Sequence, residues 1–574
     1  MQDGPCEKAE SVLKSFFELP DVFETSLKFC REAISTSTPI YSLLQGTLWR
    51  NVLKNFAGKV VFPILLYFDD FETGNPLGSR AGVHKLGAVY FSLPCLPQYL
   101  LTKLNNIFLA LLFHSQDRES NSDTDNKKRN KFIFNRLINE LNFLSQKGID
   151  ISLKNGRKQK IFFVLTQIIG DNLGLNSILG FVESFAANHY CRICNLNKSE
   201  MKKITIENTE AVRNPDSYNS DLKKEQLSET GIKEECVWNA VRYFHVAINF
   251  SVDIMHDLAE GVARYEMAKI IYYFISKEYF TFQFFLSKLK YFDYSPNDNK
   301  VPPISFDDLL NGMLIMSAAE MNNLVMYFGL MVGNYVPNND EVWQLYILLR
   351  KIFEIANSRV LQKSCYDIIV GLIEEHHDLY LKIFKDDLKP KYHFLLHYGR
   401  IFELAGPLCN ISSERFEANH KNFKEHAHQM RCRKNLTYSL SLYHQIFFSN
   451  RLQVNESINS DIIAGPSIKA STEDLTADMH PVEQQKCGGK QQQLPALPFQ
   501  HESDPFCISS LHALGEISSS SSSSSSGEGE RPPVLPFFLV MAGSSVLAGA
   551  VGNKRGETRS GEAPPAGLPM RSPC

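Results

Sequence analysis

Two long, uninterrupted apolar runs, each followed directly by an acidic residue, constrain the fold of this chain more than any other feature. Residues 60–68 read VVFPILLYF and are followed by Asp69 and Asp70. Residues 160–169 read KIFFVLTQII and are followed by Gly170 and Asp171. Continuous apolar runs of this length are typical of strands that are buried on both faces of a sheet. We therefore predict a central sheet with acidic side chains where these two strands end.

Shorter patterns supply the neighbours of these strands. Residues 86–93 (LGAVYFSL) and 107–113 (IFLALLF) are rich in aromatic and aliphatic residues and are predicted to be strands. Residues 131–147 have helical periodicity. Residues 149–153 and 160–169 flank an Asn155-Gly156 dipeptide, which predicts a β-hairpin. The expected order is three strands, a helix, and a hairpin whose second arm ends at an acid.

The remaining segments are predicted to be mostly helical, with a low-complexity end. We divide the chain into an N-terminal helical segment (1–58), the first part of the sheet core (59–199), a mostly helical insertion (200–400), a core helix (401–454) and a tail (455–574). The tail is rich in Ser, Gly, Pro and Gln and contains the serine run 518–526, so no packed core is expected there. Its apolar stretch at 534–552 is interpreted as part of this disordered tail rather than as a membrane span.

Charge and cysteine content limit the partners and the compartment. Lys and Arg total 60 against 63 Asp and Glu, a net charge of -3, so any surface for nucleic acid must be local. The N-terminus has no signal-peptide pattern. In the reducing compartment that this favours, a close cysteine pair indicates a metal site before a disulfide.

Three acids are candidates for a shared metal site. Asp69 and Asp171 follow the two long strands, and Glu417 lies near the start of a predicted helix. Converging carboxylates bind Mg²⁺ or Mn²⁺, and two such ions support phosphoryl transfer. The order of the elements and acids matches an RNase H-like core. Because Asp171 and Glu417 are roughly 250 residues apart, that α/β core must be interrupted by a large helical insertion.

Four sequence blocks carry a resemblance to a known family. They are YFDDFETGNPLG with HKLGAVYFSLPCLP, then TQIIGDNLGLNSILGF with CRIC, then DIMHDLAEGV, and finally FLLHYGRIFELAGPLCNISSERFEANHKNFK. In this order the blocks resemble the transposases of the CACTA (En/Spm-like) group of DNA transposons. The similarity extends over residues from about 60 to 435 and is restricted to the catalytic domain. Because no separate end-recognition module is recognisable, the chain is expected to be a truncated or domesticated copy.

The resemblance implies that Asp69, Asp171 and Glu417 form a DDE triad, which uses Mg²⁺ or Mn²⁺ to hydrolyse DNA at transposon ends and to transfer the strand. Asp70 is an alternative for the first acid and Glu414 for the third. Whether the chain is an enzyme stays open at this point. The alternative is a catalytically silent, domesticated protein that binds DNA or protein in the nucleus.

A second metal site is predicted around Cys191 and Cys194. Their Cys-x-x-Cys spacing suits a structural Zn²⁺, with His256 and Asp253 of the DIMH block as further ligands. His189 and His245 are the alternative ligands.

A basic cluster follows the third acid and is a candidate DNA-binding surface. Lysine and arginine side chains there could neutralise phosphates. Its members are Lys421, Lys424, Arg431, Arg433 and Lys434. We expect a nuclear protein with a DNA partner and a possible second copy of itself, and neither a membrane nor a small-molecule substrate.

Overall fold

The computed structural model describes residues 8–74, 84–118, 123–294, 299–430 and 433–454; within these, the side chains of 123–128 and 453–454 are not described. The described chain is a mixed α/β structure in which many helices surround one sheet. The predicted tail 455–574, including its apolar stretch, and Arg431 of the basic cluster lie outside the described residues.

The sheet in the described residues has five strands in the order β3-β2-β1-β5-β4. The strands are β1 (Val60–Glu72), β2 (Lys85–Ser92), β3 (Phe108–His114), β4 (Ile149–Ser152) and β5 (Lys158–Ile169). β1 runs parallel to β5, while the β1–β2, β2–β3 and β4–β5 pairs are antiparallel. The two long apolar runs therefore lie side by side at the centre of the sheet, as their burial requires.

The hairpin and strand predictions are confirmed, with one correction. β4 and β5 pair around Asn155-Gly156, and Gly156 has the positive φ that this tight turn needs. β1, however, does not end at Asp69. It continues to Glu72, because antiparallel pairing with β2 extends to the end of the strand. Asp69 and Asp70 are thus inside a strand, where successive side chains point to opposite faces of the sheet.

Helices account for most of the other described residues. The α-helices before and within the sheet region are α1 (Ala9–Phe17), α2 (Val22–Ser35), α3 (Thr47–Leu53), α4 (Gln98–Leu101), α5 (Asp123–Gln146) and α6 (Asn172–Leu179). The α-helices that follow, up to Leu395, are α7 (Lys198–Met201), α8 (Pro215–Lys224), α9 (Leu227–Thr230), α10 (Ala263–Ser276), α11 (Phe282–Tyr291), α12 (Phe306–Leu310), α13 (Ala318–Val332), α14 (Glu341–Asn357), α15 (Cys365–Phe384) and α16 (Pro390–Leu395). They are followed by α17 (Tyr398–Ala405), α18 (Glu414–Gln429) and α19 (Leu436–Val454).

Short 3₁₀ segments and one π-helix connect these elements. The 3₁₀ segments are Leu43–Gln45, Leu104–Asn106, Ser115–Asp117, Thr209–Ala211, Val237–Ala240, Gly333–Tyr335 and Leu408–Ile411. The π-helix is Met255–Val262, which leads directly into α10. π-Helical turns are rare and occur frequently at functional sites. This one contains the histidine of the DIMH block.

Aromatic packing joins the helices to the sheet. The Phe17 ring of α1 stacks on the Phe62 ring of β1 with centroids 5.1 Å apart. At the other end of the chain, Phe416 of α18 stacks on Tyr67 of β1 at 4.8 Å. Both contacts add to the hydrophobic burial of large rings. The second one places α18 against the part of β1 that carries Asp69. Among the described residues, no helix is both long and apolar enough to cross a membrane.

Candidate functional site

The sheet register brings the first two predicted acids together. Tyr67 of β1 pairs with Ile169 of the parallel strand β5, and two residues further along each chain are Asp69 and Asp171. Neighbouring strands lie about 4.8 Å apart, so Asp69, still within β1, and Asp171, just beyond the end of β5, lie next to one another. Between them, Gly170 passes so close to β1 that an added Cβ would lie 2.4 Å from the Phe68 carbonyl oxygen. A glycine is required there for the chain to turn out of the sheet and into α6.

The third acid, Glu417, lies on α18. Phe416 anchors this helix on Tyr67, and the next residue, Glu417, remains partly exposed with 33% of its side chain accessible. Its Oε1 lies 3.4 Å from Nε2 of His256. On the buried face of the same helix, His420 stacks on Phe71 at 4.3 Å, and its Nδ1 is 3.5 Å from Oδ2 of Asp69. We call Asp69, Asp171 and Glu417 the acid site.

Burial and neighbouring negative charges raise the pKa of two of these carboxylates, Asp69 and Glu417. Burial, followed by the negative charges of Glu417 and Asp171, raises the pKa of Asp69 to about 7. Burial also raises the pKa of Glu417 to about 7, with Asp253, Glu260 and Asp171 acting in the same direction and His256 opposing them. Carboxylates that share a site in this way favour either a proton or a metal cation between them.

The structure distinguishes the competing acids. Asp70 points to the opposite face of the sheet, where Oδ2 pairs with Arg118 Nη2 at 2.6 Å and Oδ1 accepts a hydrogen bond from Ser115 at 2.7 Å. Its charge is therefore already compensated. Glu414 is exposed in the first turn of α18, three residues before Glu417. The geometry favours Asp69 over Asp70 and Glu417 over Glu414.

Asp171 has a local role as well. Its side chain accepts a hydrogen bond from the Gly174 backbone N–H at 2.5 Å and so caps the N-terminus of α6. In the part of the chain that the structure describes, the three acids do not form a group whose ligand atoms all lie within 4.8 Å of one another. A cation shared by all three would therefore require at least one of these side chains to move from its position in this structure.

Within the described residues, the predicted zinc ligands His256 and Asp253 are not members of the group of possible metal ligands around Cys191 and Cys194. Asp253 Oδ2 pairs with His256 Nδ1 at 2.5 Å, and Ser413 donates hydrogen bonds to the same carboxylate from its N–H and its hydroxyl. Burial opposes these effects, but Asp253 and Glu417 raise the pKa of His256 to about 9. One turn of π-helix thus places an imidazolium beside Glu417, at the acid site.

A Cys/His cluster lies elsewhere, and it includes the two predicted cysteines. Cys191, Cys194, His393 and His397 are all buried, and one ligand atom from each lies within 4.8 Å of the others. Cys191 Sγ is 3.5 Å from His397 Nε2, and Cys194 Sγ is 3.2 Å from His393 Nε2. Tetrahedral Zn²⁺ needs sulfur–nitrogen separations of about 3.6 Å. These four residues can hold a metal ion, and the donor set is consistent with structural zinc.

The groups around the cluster favour a negatively charged Cys191, which is the form that binds a cation. Backbone N–H groups of Ile193 and Cys194 point at Cys191 Sγ at 3.4 and 3.5 Å. Although burial opposes it, hydrogen bonding from Cys194 and the nearby His397 and His393 lower the pKa of Cys191. These neighbours outweigh the effect of burial and favour the thiolate, the form of the side chain that binds metal.

The carboxylate of Glu207 bonds to the ring nitrogen of His397 that does not face Cys191. Nδ1 of His397 lies 2.7 Å from Oε1 of Glu207, and Arg400 pairs with both oxygens of that carboxylate. Against the effect of burial, His397 and Arg400 lower the pKa of Glu207 to about 2. A carboxylate bound to the outer nitrogen of a metal-ligating histidine fixes the tautomer that presents Nε2 to the metal.

A local signal for the missed histidines exists in the sequence. His393 and His397 form a His-x₃-His pair, which is the usual partner of Cys-x₂-Cys in zinc sites. The two pairs are separated by about two hundred residues, far beyond the usual spacing of such motifs. His189 and His245, the alternatives considered from sequence, are not members of the cluster.

The basic residues after Glu417 have different surroundings. Lys421 and Lys424 are exposed on α18, and Lys421 forms an i,i+4 pair with Glu425 at 3.8 Å. Arg433 is half-buried and donates hydrogen bonds to the backbone oxygens of Thr73 and Ala427. Lys434 is exposed. Three of these side chains therefore remain accessible to a polyanion, while Arg433 connects the end of α18 to β1.

In comparisons with known proteins, the sequence matches no protein-family model and no curated protein.

Proposed function

We propose that this chain is a transposase-derived DNA nuclease and strand-transfer domain of the DDE type, with an RNase H-like core. The observation that carries the proposal is the convergence of Asp69, Asp171 and Glu417 at one end of the central β1–β5 pair. Adjacent parallel strands supply two carboxylates, and a late helix supplies the third. The sequence blocks that resemble CACTA transposases contain the same three residues.

The site has the properties that a divalent cation needs. Burial and the neighbouring acids raise the pKa of both Asp69 and Glu417 to about 7, so protons still compete for these carboxylates close to neutral pH in the absence of metal. Mg²⁺ or Mn²⁺ would replace these protons with two positive charges and oxygen coordination. Bound there, the cations would activate a water or a 3′-hydroxyl and stabilise the leaving oxygen of the phosphodiester.

The protein's own residues would orient the reacting groups. Asp253 and Ser413 hold His256, and His256 in turn holds Glu417. His420 faces Asp69 from the buried side of α18. The exposed Lys421 and Lys424 lie on the same helix as Glu417, where they can pair with DNA phosphates. DNA as the partner implies a nuclear location.

The Cys/His cluster is proposed to be a structural Zn²⁺ site. Its four ligands join the loop after α6 to α16 and the start of α17, so one ion would connect the sheet core to the far end of the helical insertion. Closed four-ligand sites of this kind are structural rather than catalytic.

Plasmid cleavage tests the proposed activity. The full-length chain is incubated with supercoiled plasmid and Mn²⁺ or Mg²⁺, alongside Asp171→Asn and Glu417→Gln. Glu414→Gln is the matched control, because it is the same substitution three residues earlier on α18. We expect metal-dependent nicking that both site variants abolish and the control retains. Nicking that persists in both site variants would contradict the proposal.

A catalytically silent binding module is the second candidate, and one observation favours it. Asp171 already caps α6, and a residue kept for this local role needs no metal. Under this alternative, folded wild-type protein binds DNA but does not nick it with either metal. Binding is then reduced by Lys421→Ala and Lys424→Ala and is unchanged by Glu417→Gln.

A further inference from the structure

An arginine inside the Cys-x-x-Cys loop leads from the Cys/His cluster toward the acid site. Arg192 lies between the two cysteines and is 3% exposed. Its guanidinium uses two separate nitrogens. Nη1 donates to Oδ1 of Asn172 at 2.7 Å, and Nη2 donates to the backbone oxygen of Ser251 at 2.6 Å. A planar fork bound at both tips has a fixed orientation.

Both acceptors border residues of the acid site. Asn172 immediately follows Asp171. Ser251 is two residues before Asp253, and its hydroxyl donates to the Ile168 carbonyl of β5 at 2.7 Å. The single side chain of Arg192 therefore fixes the end of β5 and the segment that leads into the π-helix relative to one another.

Asn172 extends the connection by one more residue. Its Nδ2 donates to Oδ1 of Asp257 at 2.6 Å, and both side chains are buried. Asp257 directly follows His256, whose Nε2 lies 3.4 Å from Glu417. The chain of hydrogen bonds thus runs from the metal-binding loop through Asn172 to the π-helix turn that presents His256.

We propose that Arg192 is a positioning residue that couples the Cys/His cluster to the acid site. Metal bound by Cys191 and Cys194 holds the loop, and the loop holds Arg192. Through Asn172 and Ser251, Arg192 then fixes Asp171 and His256 in place. The consequence for divalent-metal binding at the acids rests on the proposed function, whereas the coupling itself does not.

Arg213 offers a matched control. It is also fully buried, and its backbone N–H bonds to Ile193 of the same loop. Its guanidinium, however, donates to Asp221 at 2.9 Å, to Asn195 at 3.2 Å and to the Thr230 carbonyl, and none of these acceptors is Asn172 or Ser251. Arg213→Lys therefore disturbs the same loop and removes an equally buried guanidinium group, but it keeps the hydrogen bond between Arg192 and Asn172.

The test compares Arg192→Lys with Arg213→Lys in the zinc-loaded full chain. Amide hydrogen exchange is measured over residues 172–179 and 251–262, with zinc content as the check that the cluster is intact. We expect faster exchange in both segments for Arg192→Lys only. Asn172→Leu, which leaves Arg192 in place, should speed exchange in 251–262 and provides a second test if Arg192→Lys does not fold.

Mn²⁺ titration followed by electron paramagnetic resonance tests the consequence. The dissociation constant is measured for the Mn²⁺ ion whose binding is lost in Asp171→Asn. Arg192→Lys should raise its dissociation constant at least tenfold, as loss of outer-shell support does at other metal sites, while Arg213→Lys should leave it unchanged.

The outcomes separate the two proposals. Unchanged exchange in both segments for Arg192→Lys, or equal changes in the two arginine variants, would overturn the coupling. Faster exchange without any loss of Mn²⁺ affinity would overturn the positioning role. A wild-type chain without any Asp171-dependent Mn²⁺ would instead refute the proposed function, and the exchange data would still decide the coupling.

Discussion

Removing the charge of a predicted catalytic acid should make the metal-free protein more stable. Asp69 lies among like charges, and its pKa in the folded chain is raised from 3.8 to about 7, chiefly by burial and then by Glu417 and Asp171. The folded protein therefore binds a proton that the unfolded chain has lost between these two pH values. The contribution of Asp69 to the free energy of unfolding therefore falls as the pH rises from 3.8 to about 7, and it is lowest above pH 7.

The pKa shift of Asp69 gives the size of its effect on the free energy of unfolding. Three pH units at 1.36 kcal/mol each correspond to about 4 kcal/mol above pH 7. Because 26% of the Asp69 side chain is accessible, solvent reduces this value, and we expect about 2 kcal/mol. Asp69→Asn keeps the oxygen that accepts the Asp70 N–H but removes the charge. The variant should gain about 2 kcal/mol at pH 8 and less than half of that at pH 5.

Urea unfolding of zinc-loaded protein without Mg²⁺ or Mn²⁺ measures this difference at both pH values. Asp70→Asn is the neighbouring control. It breaks the 2.6 Å pair with Arg118, in which both side chains are 13% exposed, and should lower the free energy of unfolding by at least about 1 kcal/mol. The reasoning is refuted if Asp69→Asn destabilises the protein at pH 8, or if its gain is the same at pH 5.

Three further predictions concern the Cys/His cluster and the acid site as proposed metal sites. Wild-type protein should contain zinc by mass spectrometry or atomic absorption; His393→Ala should lose it, while His189→Ala, outside the cluster, should retain it. Glu207→Gln should weaken zinc binding ten- to a hundredfold in chelator competition, since the carboxylate partner of His397 is lost. Mn²⁺ affinity at the acid site should rise at least about tenfold from pH 6 to pH 8, because the metal replaces protons on Asp69 and Glu417. A flat profile in isothermal titration would contradict the raised pKa values.

Local patterns predicted most of the sheet. Apolar runs, alternation and one Asn-Gly turn depend on residues close in sequence, and they located β1, β2, β3 and the β4–β5 hairpin. The positions of the acids after strongly apolar strands likewise indicated that Asp69 and Asp171 would be near one another. Parallel pairing of β1 with β5 then places them side by side.

Contacts between segments that are distant in sequence could not be predicted from local patterns. Adjacent acids on a strand face opposite sides, but the sequence does not tell which side α18 covers; only its packing on Tyr67 selects Asp69. His256 was assigned to zinc because its spacing allowed it, yet the fold turns it toward Glu417. The Cys-x-x-Cys pair was recognisable from its own spacing, whereas His393 and His397 reach it across about two hundred residues. Short-range chemistry thus determined the strands, the turn and the cysteine pair, while the partners of the acids, cysteines and histidines depended on how the helices that follow β5 pack back onto the sheet.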